Sequence, residues 1–289
     1  MKRLFQSLFL ILIGVTITGC NFFKQDAFED VDIFVTTYVI EFLTQQLYGN
    51  HSNIRSIYPD GIDIHEYTLT PHRINYFSRG HLFIFNGSGE ERQIAVSLIN
   101  HRGNNLHIID VAKGLEVRDD EARLWISPSH TLMVAQNIRN GLKNLVTNTS
   151  LLEEIDRNYE ELKILLAGYD AEFKLISENA SNRTIIAANS AFNFLTRYGF
   201  EVINIDDDDD SSTAISRAEM AFRSRENTYL FILEGTDEEN EDILALVETG
   251  ATLAFINPMI NLTDEQRRNG DNYITFMEAF IDALRNEVF

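Results

Sequence analysis

The sequence predicts an α/β protein of two doubly wound α/β lobes joined by a long backbone helix. Three observations carry that expectation. Short β-branched and aromatic runs alternate with helix-like runs twice over, once on each side of residue 150, which is the pattern of parallel sheets with helical crossovers. Between them lies the longest periodic segment, Leu151 to about Ile176. There Leu152, Ile155, Tyr159, Leu162, Leu166, Tyr169 and Phe173 recur at spacings of three and four, so one apolar stripe runs down a single helix. Finally, 289 residues with 44% hydrophobic and 11% aromatic content suffice for a core in each half and exclude global disorder.

In the first lobe, Val31 to Tyr38 reads as a strand and Ile40 to Leu47 as a helix with Ile40, Leu43 and Leu47 on one face. Ile54 to Ile57 is a second strand, which delivers the chain to a loop, Pro59 to Pro71. Thr70 and Pro71 supply a cap and first turn for a helix to about Arg79. His81 to Asn86 is strongly β, Asn86 to Glu90 is a turn, Arg92 to Ile99 a helix and Leu106 to Val111 another strand. A polar, acidic stretch from 112 to 122 follows. Leu124-Trp125-Ile126 then returns to apolar, Ser127-Pro128-Ser129 punctuates, and Thr131 to Leu145 is a helix with Leu132, Ala135, Ile138, Leu142 and Leu145 on one face.

At about 1.5 Å per residue the next helix spans a domain diameter and links the lobes. Beyond Asn182 the alternation restarts: strands Thr184–Ala188, Glu201–Ile205, Tyr229–Leu233 and Thr252–Ile256, and helices Ala191–Tyr198 ended by Gly199, Ala214–Phe222, Glu239–Glu248 and Asn272 to about Val288. The run Asp206 to Asp210 is five like charges that repel one another and favour a solvated loop over a cation site. The division is thus 30–148 for the first lobe, 149–180 for the linking helix and 181–289 for the second lobe.

Twenty-four basic against 44 acidic residues give a net charge of −20, which argues against nucleic acid, since phosphate neutralisation needs a basic face. Lys2 and Arg3 precede an apolar run, Leu4 to Ile17, followed by Thr18, Gly19 and Cys20; that order is a secretory signal, too short and wrongly flanked for a spanning helix. The ending Ile17-Thr18-Gly19-Cys20 resembles the lipobox of bacterial lipoproteins, and Cys20 is the only cysteine. Residues 1–19 are therefore expected as a signal peptide, Cys20 as the lipidated first residue, and 20–29 as a tether.

In doubly wound folds ligands sit beyond the carboxyl ends of strands, where the loop Pro59 to Pro71 would lie. That loop holds His65, an imidazole between acidic side chains, and imidazole is the commonest metal ligand. The loop also resembles a Pro-x-Gly-x-x-x-His-x-aromatic-x-x-Thr-Pro signature of the zinc- and manganese-type substrate-binding lipoproteins of ABC importers, the TroA-like solute-binding proteins. Val35-Thr36-Thr37-Tyr38, Leu82 to Glu90, Trp125-Ile126-Ser127-Pro128 and Ala191-Phe192-x-Phe194-Leu195-x-x-Tyr198-Gly199 match further segments of that family in order.

The resemblance implies a ligand cleft between the lobes that holds one divalent cation, zinc or manganese, through three histidines and one or two carboxylates. Carried over singly, the first histidine is His65 and a carboxylate after the strand ending at Leu233 is Glu234. The second histidine's place is taken by Arg123, the third's by Asn189 and a later aspartate's by Asn257. Arginine stays charged and has no lone pair to offer, while asparagine brings no charge. Arg123 is expected to pair with Glu234 across the cleft; Asp119, Asp120, Glu121 and His130 are candidate substitute ligands. The resemblance further implies an ABC permease and ATPase as partners, a membrane tie through Cys20 at the extracellular face of the cell membrane, and a monomer. Three readings follow: a metal-binding component with most ligands substituted, the same scaffold holding a polar or anionic ligand, or a surface lipoprotein acting in adhesion. No enzyme is expected, as there is no nucleophile elbow, phosphate loop or zinc-hydrolase motif.

Overall fold

The computed structural model describes residues 28–87, 91–102, 106–115, 123–206 and 211–289. The expected signal peptide and Cys20 lie outside the described residues, as do Asp207 to Asp210 of the aspartate run.

The first lobe is built from β1 (Asp32–Val35), α1 (Tyr38–Tyr48), β2 (Asn53–Ser56), α2 (Pro71–Phe77), β3 (Leu82–Phe85), α3 (Glu91–Arg102) and β4 (His107–Asp110). Its strands pair in parallel in the order β2-β1-β3-β4. The helical turn α4 (Arg123–Ile126) and helix α5 (Pro128–Leu145) lead to the backbone helix α6 (Thr149–Asn179). The second lobe follows: β5 (Thr184–Ala187), a 3-10 helix (Ser190–Tyr198), β6 (Glu201–Asn204), α7 (Ser211–Ser224), β7 (Tyr229–Leu233), α8 (Glu241–Glu248), β8 (Thr252–Ile256), α9 (Asp264–Asn269) and α10 (Tyr273–Val288). Its strands are also all parallel, in the order β6-β5-β7-β8. Two doubly wound sheets of identical strand order, flanking a long helix, are the architecture the alternation predicts.

Local chemistry explains the bounds. Parallel strands covered on both faces read as continuous apolar runs, and all four residues of β3 are buried. Asn148 caps α6, its side-chain oxygen accepting from the Ser150 and Leu151 amides at 3.0 and 3.4 Å. Thr70 accepts from the Arg73 amide at the start of α2, ahead of Pro71. The strand expected from Val31 to Tyr38 stops at Val35: Tyr38 already begins α1, whose first amides donate to the second lobe, Tyr38 N–H to the Ile260 carbonyl at 2.8 Å and Val39 N–H to Met259 at 3.3 Å. The segment Ala191–Tyr198 is a 3-10 rather than an α-helix, though it ends at Gly199, whose φ of +102° suits a residue without Cβ. Helix α9, six residues with none buried, has no apolar stripe to announce it.

The buried stripe of α6, from Leu151 to Ile176, faces both lobes. One continuous apolar core runs from Val35 and Ile84 of the first sheet through Leu162 and Phe173 of α6 to Ile185, Phe231 and Phe280 of the second lobe. Two smaller cores back the outer faces of the sheets, around Phe83 and Leu98 in one and Leu230 and Ile243 in the other. Because the main core is shared, separating the lobes would expose part of it, which opposes a wide hinge motion.

Candidate functional site

A cleft of about 450 Å³ lies beyond the carboxyl ends of β2, β5, β7 and β8. His65, Asn189, Glu234 and Asn257 all line it, so the structure brings four of the five sequence-derived positions to one place. The fifth, Arg123, opens α4, and its expected bond to Glu234 lies outside the described residues, as do Asp119, Asp120 and Glu121. His130 is not among the lining residues.

The first-lobe wall is the loop after β2. Gly61, at φ +72°, turns the chain there and donates its amide to the Leu262 carbonyl at 2.7 Å. The His65 amide donates to Asp63 Oδ1 at 2.8 Å, a side-chain turn of the Asx type. That leaves the His65 ring exposed at the cleft, with Asp63 beside it. The loop is gripped from across the cleft by the segment between β8 and α10. Asn261 Nδ2 donates to the Pro59 and Ile62 carbonyls at 2.9 and 3.0 Å. Arg267 places its guanidinium fork on Asp60, Nε and Nη2 donating at 2.6 and 2.8 Å, and also donates to both oxygens of Glu41 at 3.3 Å. Asp60 and Glu41 together hold the guanidinium fully charged, above its already high ordinary pKa.

The second-lobe wall is organised differently. Asn189 follows β5; its Oδ1 accepts from the Leu233 amide at 2.9 Å and its Nδ2 donates to Thr236 Oγ1 at 3.2 Å. Glu234 follows β7, and its Oε2 accepts from Asn257 Nδ2 at 2.6 Å. Asn257, just past β8, accepts in turn from the Met259 amide at 2.7 Å. Met259 is fully buried with a φ of +57°, so this bond stabilises a left-handed turn that a bulky residue disfavours. Partial burial pushes the Glu234 carboxyl above its ordinary value, while the Asn257 amide pulls it down. Thus both asparagines that stand at ligand positions spend their oxygens on backbone amides.

No Lys or Arg lines the cleft among the described residues; its charged groups are Asp63 and Glu234. No group of three or more His, Cys, Asp or Glu side chains able to hold a metal ion occurs among the described residues. Sequence reasoning missed Asp63, Thr236, Asn261 and Arg267. A legible signal existed for the last pair's segment, since Thr263 and Gln266 form a capping box that marks a helix start.

Two α/β lobes of one strand order, held by a backbone helix around a cleft, define a TroA-like two-lobed fold. The chain belongs to the zinc-uptake complex component A (ZnuA) periplasmic family, which matches residues 33–287. Among curated relatives, the zinc-binding lipoprotein AdcA of Streptococcus pneumoniae is 22% identical over 298 residues, covering 95% of this chain and 59% of that protein. The chain therefore spans under two thirds of AdcA's length. A metal ABC transporter substrate-binding lipoprotein of Lactococcus lactis is 22% identical over 295 residues, with 93% of this chain and 92% of the relative covered. The high-affinity zinc uptake system protein ZnuA of Bacillus subtilis is 18% identical, covering 90% and 88%. Among solved structures, the metal-dependent lipoprotein YcdH of Bacillus subtilis superposes with a TM-score of 0.73 at 20% identity, over 90% of this chain and 99% of that one. Zn(II)-bound AdcA gives 0.70 at 20% identity, over 90% and 58%.

Proposed function

We propose that the chain is the lipid-anchored substrate-binding component of an ABC importer, handing a divalent metal of the zinc or manganese type to a permease and its ATPase. In this reading Cys20 carries the lipid, a monomer faces the outside of the cell membrane, and His65 and Glu234 are the surviving metal ligands. Arg123, Asn189 and Asn257 are the substituted positions. The observation that carries the reading is that His65 and Glu234 line one cleft between two lobes of a family named for zinc uptake. Imidazole nitrogen and carboxylate oxygen both suit zinc and manganese. With Asn189 and Asn257 bonded to the Leu233 and Met259 amides, the site binds a bare ion weakly. An anionic cargo is disfavoured, because the carboxylates of Asp63 and Glu234 meet no basic side chain in the described lining. Among the described residues no helix is long and apolar enough to cross a membrane.

The test is uptake of radiolabelled zinc and manganese by cells that lack the chain, complemented with wild type, His65→Ala or Cys20→Ala. Wild type alone restores uptake; equal restoration by His65→Ala removes the cleft from the account.

A further inference from the structure

We infer that the cleft takes its divalent ion as a cationic complex with a small organic chelator, the protein closing the coordination shell that the chelator leaves open. This rests on the reading that the cargo is a metal. Three observations lead to it.

The donor count comes first. Zinc in protein sites takes four ligands, yet the described residues offer no cluster of three metal-competent side chains. His65, exposed at the rim, and Glu234, with one oxygen already accepting from Asn257, supply only part of a shell. The amides at the cleft do not make up the difference. Asn189 and Asn257 are bonded as described, Asn261 Oδ1 accepts from the Leu262 amide, and Gln266 Oε1 accepts from the Thr263 amide.

Size comes second. At about 30 Å³ per water, an ion with six inner-shell waters needs roughly 180 Å³, whereas the cleft offers about 450 Å³. That value lies in the range of pockets that hold small organic ligands. Its walls also carry Ile62, Ile64, Leu233, Ile260 and Leu262. Aliphatic walls give a hydrated ion nothing, but they bury the carbon skeleton of an organic molecule favourably.

Charge comes third and selects the complex. Asp63 and Glu234 are the charged groups of the described lining, and no Lys or Arg opposes them. A zinc ion with one singly anionic amino-acid chelator keeps a net positive charge and suits them; a zinc ion wrapped by a tribasic acid is anionic and does not.

The experiment is calorimetry on the purified mature chain with four probes: zinc alone, free histidine alone, zinc premixed with equimolar histidine, and zinc premixed with equimolar citrate. The expected result is binding of zinc–histidine at least about tenfold tighter than zinc alone, with no gain from citrate and no heat from histidine alone. His65→Ala abolishes the gain. Ile62→Trp, which fills the cleft with a side chain outside the buried core, lowers zinc–histidine affinity about fivefold or more. Histidine that leaves zinc affinity unchanged, or lowers it by competition, overturns the inference. If zinc alone instead saturates the cleft tightly, the metal-cargo reading stands and the chelator is unnecessary. Absence of heat from every zinc probe removes both.

Discussion

The two walls of the cleft occupy equivalent places, the loops beyond strand ends in sheets of the same order, yet they treat their polar groups in opposite ways. On the first-lobe wall the His65 ring faces solvent, while the loop beneath it is held by Asn261 and Arg267 from across the cleft. On the second-lobe wall Asn189 is bonded to the Leu233 amide and Thr236, and Asn257 donates to Glu234 while accepting from the Met259 amide. One wall presents a donor supported from outside; the other is satisfied without a ligand. The difference teaches that an amide at a ligand position does more than remove a charge. It gives the backbone amides of Leu233 and Met259 an acceptor within the protein, and so stabilises the empty cleft.

The largest expected effect comes from restoring the second wall. Asn189→His with Asn257→Asp returns two donors, and zinc affinity should rise on the order of 100-fold, measured by competition with a fluorescent chelator. The same double variant should melt earlier in the absence of zinc, by about 1–3 kcal/mol of stability, because the Leu233 amide loses the Asn189 oxygen and a carboxylate at 257 faces Glu234 in place of the Nδ2 donor. Unchanged affinity would mean that the walls are too far apart to share an ion.

Next is the support of the first wall. Arg267→Ala leaves Glu41, whose side chain is only 8% exposed, without its guanidinium. Breaking a fully buried pair costs about 3–5 kcal/mol; with Arg267 itself 40% exposed, about 2 kcal/mol is expected by chemical denaturation. Amide exchange in residues 60–65 should accelerate, and Arg267→Lys, which lacks the fork, should recover only part of the loss.

A smaller effect follows from the donor itself. His65→Ala should weaken zinc binding about tenfold and leave the melting temperature unchanged, since the ring is exposed and the loop's bonds are made by its backbone and Asp63.

The smallest effect concerns a second carboxylate with the character of Glu234. Glu287 is buried on α10 and accepts from Asn227 Nδ2 at 2.5 Å and from the Thr228 and Tyr229 amides. Burial pushes its carboxyl up, against the pull of those bonds. With the folded pKa above the unfolded one, the folded state holds the proton more tightly. The stability from this group is present below the ordinary carboxylate range and is lost as pH rises through the raised value. Glu287→Gln should flatten that slope in a pH series of melts and leave zinc binding unaltered; a change in zinc binding would couple the far end of the lobe to the cleft.

Much of the fold was legible because its signals are local. The strand and helix alternation and the stripe of α6 are short-range periodicities, and parallel pairing follows from crossover length. What was misread has local causes too. Tyr38 has strand propensity but begins α1, its amide engaged by Ile260. Helix α9 buries nothing, so only its capping box betrays it. In the site, His65 was legible through its Pro- and Gly-framed loop. The clamp was not, since Asp60 and Arg267 are 207 residues apart and no periodicity links them. Nor could the sequence show that Asn189 and Asn257 are turned to the backbone; residue type reveals the lost donor, and only geometry reveals the bond that replaced it.

The most direct measurement is a calorimetric titration of the chelator-stripped mature chain with zinc alone. If the second wall is satisfied by its own backbone, binding is weak, in the micromolar range or above. Stoichiometric binding well below micromolar would contradict that account and show that the cleft completes a metal site by itself.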